Sequence, residues 1–157
     1  MGLRVERIKM TTYIQNRKAR FNFDILETFE AGLVLAGHEA KAIRHGKGKL
    51  DGAHVVIRGG EAFLVGASIS PYQPINTPKG YDPERTRKLL LSKKELNHLE
   101  QQTEKAGLTA VAIRLYNSNR KIKVEIALAR GKKKHDKRES IKERDVKRDI
   151  DRTLKSQ

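Results

Sequence analysis

The chain of 157 residues is short and strongly basic, with 34 Lys and Arg against 19 Asp and Glu and a formal net charge of +15. Hydrophobic residues make up 37% of it, enough for one modest core, so we expect one domain with tails. The absence of Cys excludes disulfides, thiolate nucleophiles and Cys-ligated zinc. The excess of cations predicts a polyanionic partner, foremost a nucleic acid.

An anionic membrane surface is the alternative partner for so basic a chain. No run approaches the ~18 to 20 apolar residues that a spanning helix needs, and no segment resembles a signal peptide. We therefore expect a soluble cytoplasmic protein that does not act on membranes. The five histidines lack the spacing of metal ligands, so no metal or cofactor is expected.

The amino-terminal part of the chain predicts strands around one short helix. Residues 1–12 are basic and have no hydrophobic period, so they are expected to form a flexible arm. From Phe21 onward apolar and polar residues alternate as in a half-buried strand, and the apolar run 33–35 predicts a second strand. A helix is predicted from Glu39 to Arg44, and the glycine-rich basic loop 45–49 follows it.

The middle of the chain predicts a hairpin and then a long connection. Residues 54–58 and 61–65 are strand-like, and Gly59-Gly60 between them readily takes the positive φ angles of a tight turn. Four prolines and a glycine in 71–83 disfavour regular structure, so this segment is predicted to be a mobile surface loop.

A helix and a second hairpin are predicted next. Ser92 and Glu95 form a capping box, and Gly107 suits a left-handed cap, which predicts a helix from Lys93 to Ala106. The alternation in 109–116 and 121–129 predicts two strands with one face in the core and one in water. About six strands with two to three helices fit a mainly β protein, an antiparallel barrel of the OB type over residues 13–130.

Residues 131–157 form a basic tail with few apolar side chains, and no independent core is expected there. In a helix, Arg144, Arg148 and Arg152 would form a basic stripe beside a narrow apolar face. Stacked like charges weaken such a helix, so we expect the tail to be disordered when free and helical when bound to RNA.

Two cationic groups are the candidate RNA contacts. One is a cluster on the early helix and its exit loop, formed by Lys41, Arg44, Lys47 and Lys49. The other is the run 131–138, in which His135 could stack on a base. The alternatives are an ordinary solubilising surface for the first group and a solvated linker for the second. Aromatic residues are only 5% of the chain, which favours recognition of a folded RNA by backbone and shape.

Several blocks of the sequence, in order, resemble consecutive blocks of the SmpB family, and the similarity runs from about Tyr13 to Lys155. The blocks are Asn16–Phe21, Glu30–Leu33, Gly60–Leu64, Asp82–Leu91, Ala129–Arg138 and Ile141–Arg144. Members of this family bind transfer-messenger RNA and escort it to stalled ribosomes. The late tail departs from the family pattern, since Thr153-Leu154 stands where members often carry two bulky apolar residues.

The resemblance implies that the barrel holds the tRNA-like domain of transfer-messenger RNA while the tail, helical on the ribosome, fills the empty decoding site and messenger channel. Elongation factor Tu with the charged RNA and small-subunit ribosomal RNA would be further partners, and the protein would act as a monomer. The residues expected to contact transfer-messenger RNA are Asn16, Arg17, Lys18, Arg20, Glu30, Lys41, Arg44, Lys47, Lys49, Leu89, Leu90, Arg130, Lys132 and Lys133. Those expected in the decoding site and channel are Lys134, His135, Asp136, Lys137, Arg138, Lys142, Arg144, Arg148 and Arg152.

Two other functions remain alternatives at this stage. A general structured-RNA-binding or ribosome-associated protein would share the charge and the barrel but would tolerate loss of the tail. A nuclease or RNA-modifying enzyme would need an acid such as Glu30, or a metal, for turnover. Asp24, Glu27 and Glu30 form no metal-ligand motif, so we expect no enzymatic activity.

Overall fold

The computed structural model describes residues 11–132 and, beyond them, residues 138, 141, 144, 147 and 148, which are helical. The strands of the first range are β1 (Thr12–Gln15), β2 (Phe23–Leu33), β3 (Gly48–Lys49), β4 (His54–Arg58), β5 (Glu61–Val65), β6 (Ser68–Ile69), β7 (Arg87–Leu90), β8 (Thr109–Ser118) and β9 (Lys121–Gly131). Its helices are α1 (Ala19–Asn22), α2 (Gly37–Arg44) and α3 (Lys93–Lys105), with one 3-10 turn at Pro74–Asn76. None of the helices in these ranges is long and apolar enough to cross a lipid bilayer.

The strands confirm a mainly β, antiparallel architecture. In the large sheet β8, β4, β5, β7, β2 and β9 pair in that order, and β9 pairs in turn with β8, so the six strands close into a ring. β1 adds to the side of β8, and β3 pairs with β6 in a small separate sheet. The expected number of six strands therefore matches the ring but not the nine strands found in residues 11–132. Each of the six strands therefore has a partner on both sides, although β4 and β8 are paired only at His54 and Val111, and a paired edge is not a template for aggregation.

The interior of the ring is filled by alternate residues of its strands. Ile122, Val124, Ile126 and Leu128 of β9 are all buried in the main core, as their two-residue period predicts. The outer face of the same hairpin is not fully wet, because Ala127 and Ala129 are also buried, in a second cluster with Ala19 of α1. The prediction of one core face and one wet face is thus wrong where α1 covers the barrel.

The predicted strand at Phe21 begins two residues too early. Phe21 lies in α1, whose single turn is closed by a hydrogen bond from Asn22 N–H to the Lys18 carbonyl (2.9 Å). The expected pair of strands is one long strand, β2, and residues 34 and 35 lie beyond its end. The glycine before residues 33–35 does not interrupt the strand. Gly32 lies within β2 and pairs with Leu90 on one side and Lys123 on the other.

The turns and the late helix confirm the local predictions. Gly59 and Gly60 have φ angles of +58° and +74°, and Asn119 and Arg120 have +52° and +64°, as two-residue hairpin turns require. Ser92 Oγ accepts from Glu95 N–H (3.2 Å) while the Ser92 N–H donates to the Glu95 carboxylate (3.2 Å). The helix ends at Lys105, one residue before the predicted bound.

Candidate RNA interface

A buried ionic cluster holds α2 against the barrel. Glu39 of α2 and Arg87 of β7 are both fully buried, and Arg87 Nε donates to Glu39 Oε2 (2.8 Å). Arg85 donates to the same carboxylate from the surface side. The remaining Arg87 hydrogens go to the Tyr81 hydroxyl and to the carbonyls of Ala67, Pro83 and Arg85. The charges are thus paired and hydrogen-bonded, the condition for burying ions in a fold.

The chemistry of the cluster keeps Glu39 ionised. Burial by itself would raise the pKa of the carboxyl, but hydrogen bonds from Arg85, the Ala36 N–H and Arg87 outweigh it and lower the pKa to about 2. Burial is also the main reason why the pKa of Tyr81 lies above its ordinary value. Tyr81 therefore keeps its proton, which it donates to the Ile69 carbonyl (2.8 Å). The connection predicted to be a mobile loop is consequently tied to the core at this point.

The outward side of α2 borders a cationic cavity of about 310 Å³. Four cations line it, Arg44 from α2 together with Arg120, Lys121 and Lys123 from the β8–β9 hairpin. Among its lining residues in the described chain none is acidic, and Leu90 is exposed at 54%. The Arg44 guanidinium also donates to the Arg120 carbonyl (3.4 Å), which links the helix to the hairpin.

Gly32 allows two of these side chains to approach the strand closely. A Cβ at this position would lie 3.2 Å from Leu90 Cβ and 3.6 Å from Lys123 Nζ. Leu90 is the exposed member of the pair expected at the interface, whereas Leu89 is only 3% exposed and belongs to the core. Leu89 therefore points into the core and not to the surface, because alternate residues of β7 point to opposite faces.

Sequence reasoning missed Lys123, Arg120 and Lys121 as site residues. The alternation in 121–129 places Lys121 and Lys123 only on the polar face of the predicted hairpin, and Arg120 lies between its two strands. Nothing local connects them with Arg44 or Leu90, because the five residues meet only through the pairing of β2 with β7 and β9 and the docking of α2.

Glu30 lies on the same surface, two residues before Gly32 on β2, and so on the same face. It accepts a hydrogen bond from the Tyr116 hydroxyl and pairs across the strands with Glu125. Burial first, and then the hydrogen bond to Glu30, raise the pKa of Tyr116. The guanidinium of Arg114 lies over the Tyr116 ring (4.2 Å) and donates to Glu125 (3.3 Å). The hydrogen bond from Tyr116 thus holds the Glu30 carboxylate in a fixed position on the basic surface.

Asn16 occupies a second cavity, of about 250 Å³, on the α1 side of the barrel. Its side chain is buried, and its amide donates to the carbonyls of Leu50 (3.0 Å) and Ala112 (2.9 Å). Its Oδ1 has no hydrogen-bond partner among the described residues. The amide thus fixes β1 to the barrel and leaves one acceptor free.

The other expected contacts of the barrel are spread over its surface. Arg17, Lys18 and Arg20 are exposed around α1, and Lys18 Nζ is 4.0 Å from the Asp51 carboxylate. Exposed side chains on or after α2 include those of Lys41, Lys47 and Lys49. At the end of β9 Arg130 is exposed, and the Lys132 N–H donates to the Asn22 carbonyl (2.9 Å). The structure therefore brings Arg44 and Leu90 into one cavity but places the α1 cations beside another.

Of the expected tail contacts, Arg138, Arg144 and Arg148 are exposed and helical. The guanidinium of Arg144 lies 5.4 Å from the centre of the Phe21 ring on α1. The expected contacts outside the described residues are Lys133, Lys134, His135, Asp136, Lys137, Lys142 and Arg152. Across the described positions no group of three or more His, Asp or Glu is arranged to hold a metal ion.

Comparison with known proteins agrees with this geometry. The family model described as SmpB protein matches residues 13–156. The SsrA-binding protein of Acaryochloris marina is 52% identical over 140 residues, which cover 89% of this chain and 91% of that protein. The SsrA-binding protein of Enterococcus hirae is 50% identical over 142 residues, covering 90% of this chain and 92% of the relative.

A solved structure described as "tmRNA-SmpB: a journey to the center of the bacterial ribosome" contains a similar chain. That chain is 41% identical with a TM-score of 0.64, and the match covers 81% of this chain and 92% of the other. Sequence and fold therefore agree over most of the length of both proteins. The chain belongs to the SmpB family.

Proposed function

We propose that this protein binds transfer-messenger RNA and delivers it to stalled ribosomes for trans-translation, in which incomplete peptides are tagged and the ribosome is rescued. The observation that carries the proposal is the convergence of four cations and an exposed leucine on one cavity of a chain that belongs to the SmpB family. Its relatives are named SsrA-binding proteins, and its structural neighbour is described with transfer-messenger RNA and the ribosome.

The cavity has the chemistry of a contact with folded RNA. Clustered Lys and Arg neutralise phosphates and release counterions, which supplies affinity without reading sequence. The exposed Leu90 adds an apolar surface for a base or ribose, and the Glu30 carboxylate can accept from base amines or ribose hydroxyls but repels phosphate. An acid inside a basic surface therefore limits where the RNA backbone can pass.

The tail has a separate role in this proposal. Residues 13–130 hold the tRNA-like domain, and residues 131–157 occupy the vacant decoding site and messenger channel, where the basic stripe faces ribosomal RNA. The exposed, helical Arg144 and Arg148 support this role, since their four-residue spacing would place them on one side of a continuous helix. Elongation factor Tu carries the charged RNA with the protein, which acts as a monomer in the cytoplasm.

The mechanism is positional and not chemical. Barrel and charged RNA together take the place of a transfer RNA, and the tail detects that messenger is absent. Peptide transfer is performed by the ribosome, so the protein needs no catalytic group, and we propose that it is not an enzyme.

The test compares the full chain with a version that ends at Lys132. This endpoint keeps β9 and the hydrogen bond from Lys132 to Asn22. Binding to transfer-messenger RNA and tagging on ribosomes without messenger are measured on the same preparations. We expect both proteins to bind the RNA, and only the full chain to support tagging.

A charge-matched control separates sequence from charge. In this variant residues 133–157 run in reverse order, so length and charge are unchanged, and it too should bind without tagging. Normal tagging by the truncated chain would overturn the role of the tail and favour a general RNA-binding barrel, whereas normal tagging by the reversed chain would overturn only the dependence on the order of its residues. Binding of the full chain no tighter than to an unrelated structured RNA would overturn the proposal as a whole, and cleavage of the RNA would revive an enzyme.

A further inference from the structure

We propose that the exposed stack of His45 on Tyr72, with the neighbouring Ile75, is a contact site for an unpaired nucleotide of the bound RNA. The inference rests on the proposed function, because it assigns a second contact to the same RNA. The stack lies at the carboxyl end of α2, and neighbouring residues of this helix face two different sites. Ala40 and Arg44 line the cationic cavity, while Lys41 and His45 face Tyr72 about 100° around the helix.

The two rings form a platform that is anchored at one end and open at the other. Their centres are 4.0 Å apart and their planes differ by 13°. Tyr72 is half-buried and packs against the barrel core, whereas His45 is exposed. The imidazole is therefore the exposed member of the stack, and a planar group can be added on top of it.

A hydrogen-bonded turn extends the platform with an apolar side chain. Gln73 holds this turn, since its Oε1 accepts from Lys41 Nζ (3.2 Å) and Asn76 Nδ2 (2.8 Å), and its carbonyl accepts from Thr77 Oγ1 (2.8 Å). The turn presents Ile75 at 93% exposure, the highest among the large hydrophobic residues of the described chain. A single exposed isoleucine is unremarkable by itself, but this one lies three residues after Tyr72, in the turn that Gln73 ties to Lys41.

The orientation of His45 also suits RNA. Its Nδ1 lies 2.9 Å from the Lys41 carbonyl, and a carbonyl only accepts, so Nδ1 carries the hydrogen. Nε2 of the neutral ring is then an acceptor, which a ribose 2′-hydroxyl or a base amine can satisfy. The ring thus offers a face for stacking and an edge for a hydrogen bond.

Charge identifies the occupant as a nucleotide. Lys41 Nζ lies 5.8 Å from the centre of the Tyr72 ring, and Lys47 is exposed two residues after His45 in the chain. Glu39, the acid of this helix, is buried and paired with arginines. A nucleotide supplies a phosphate for the cations and a planar base for the stack, and a protein segment would need an acidic and an aromatic residue at matching positions.

The experiment uses the full chain and transfer-messenger RNA, with variants H45A and I75S and the control H98A. His98 is a matched control, because it is another histidine beside an aromatic ring, Phe29 (5.9 Å), with its side chain 39% exposed, but it pairs with Glu27 away from the cation cluster. We expect H45A and I75S each to weaken binding by about fivefold or more, the lower range for loss of one stacked base. H98A should bind like the wild type.

Probing of the RNA bases with dimethyl sulfate gives the direct readout. At saturating protein, at least one unpaired base should be protected by the wild type and by H98A but become reactive with H45A. Identical protection by H45A and wild type would overturn the site and leave the proposed function standing. Loss of tagging by H45A with unchanged protection would also overturn it, in favour of a protein partner at this surface. Failure of the wild type to prefer this RNA would overturn both.

Discussion

The two sides of helix α2 use charge in opposite ways. On the inner side Glu39 is fully buried and neutralised by Arg85 and Arg87 within the fold. On the outer side Arg44 borders a cavity that has four cations and, within the described chain, no acid in its lining. Removing one partner of a charge pair inside the protein leaves an uncompensated buried charge, whereas charges left unpaired on a concave surface attract a polyanion. Substitutions on the two sides should therefore have separable effects.

The largest effect is expected from E39Q, which removes the charge shared by the two arginines. Arg87 would remain fully buried without a counter-charge, a situation that costs about 3 to 5 kcal/mol. Urea unfolding of the wild type and E39Q at neutral pH measures the loss. A loss below about 1 kcal/mol would mean that the cluster does not anchor α2.

Acid should remove the same contribution from the wild type. The pKa of Glu39 is lowered from 4.5 to about 2, so the ionised form is favoured in the folded state by roughly 3 kcal/mol. Because the pKa is depressed on folding, this stability is present above pH 4.5 and is lost as the pH falls through 2. The stability difference between wild type and E39Q should therefore shrink across that window. A difference that stays constant down to pH 2 would contradict the lowered pKa.

Substitution on the outer side should change binding and leave stability intact. R44A and K123A each remove one cation from the cavity, and we expect binding of transfer-messenger RNA to weaken several-fold. The slope of log affinity against log salt should fall by about one for each cation removed. K105A, at the exposed end of α3, serves as the control. Equal salt slopes for R44A, K123A and K105A would exclude the cavity as a phosphate contact.

The smallest effect on stability is expected for an ion pair that is exposed to solvent, unlike the buried pair of Glu39 and Arg87. Glu61 and Lys88 lie 3.0 Å apart, but their side chains are 50% and 44% exposed. E61Q should cost no more than about 1 kcal/mol, because water and salt screen such a pair. Its loss of stability, measured beside that of E39Q, would show that burial and not distance sets the value of the pair. A loss as large as that of E39Q would refute this reasoning.

Elements with short-range signals were predicted closely from the sequence. The hairpin at Gly59-Gly60, the capping box at Ser92 and the period-two pattern of β9 each depend on residues a few positions apart. The errors arise where a local pattern does not report the tertiary structure. Phe21 continues the alternation of β2 but lies in α1, and the outer face of β9 is covered by α1, which no local pattern reveals.

Only part of the candidate site was predicted from the sequence, because the site is assembled from several elements. Arg44 and Leu90 were expected at the interface, and the structure places them in one cavity. Leu89, expected with Leu90, is buried, because the strand points alternate residues to opposite sides. Lys123 was missed, since its place beside Gly32 depends on the pairing of β2 with β9.

The sequence by itself determined the charge of this protein, its mainly β pattern, its turns and its family, because these depend on composition and on neighbouring residues. Only the tertiary structure decided which charges are structural and which are open to a ligand. Glu39 and Arg87 are far apart in the chain, as are His45 and Tyr72, and each pair meets through closure of the barrel and docking of α2. Burial sets the energy of a charge, and burial is a property of the whole fold.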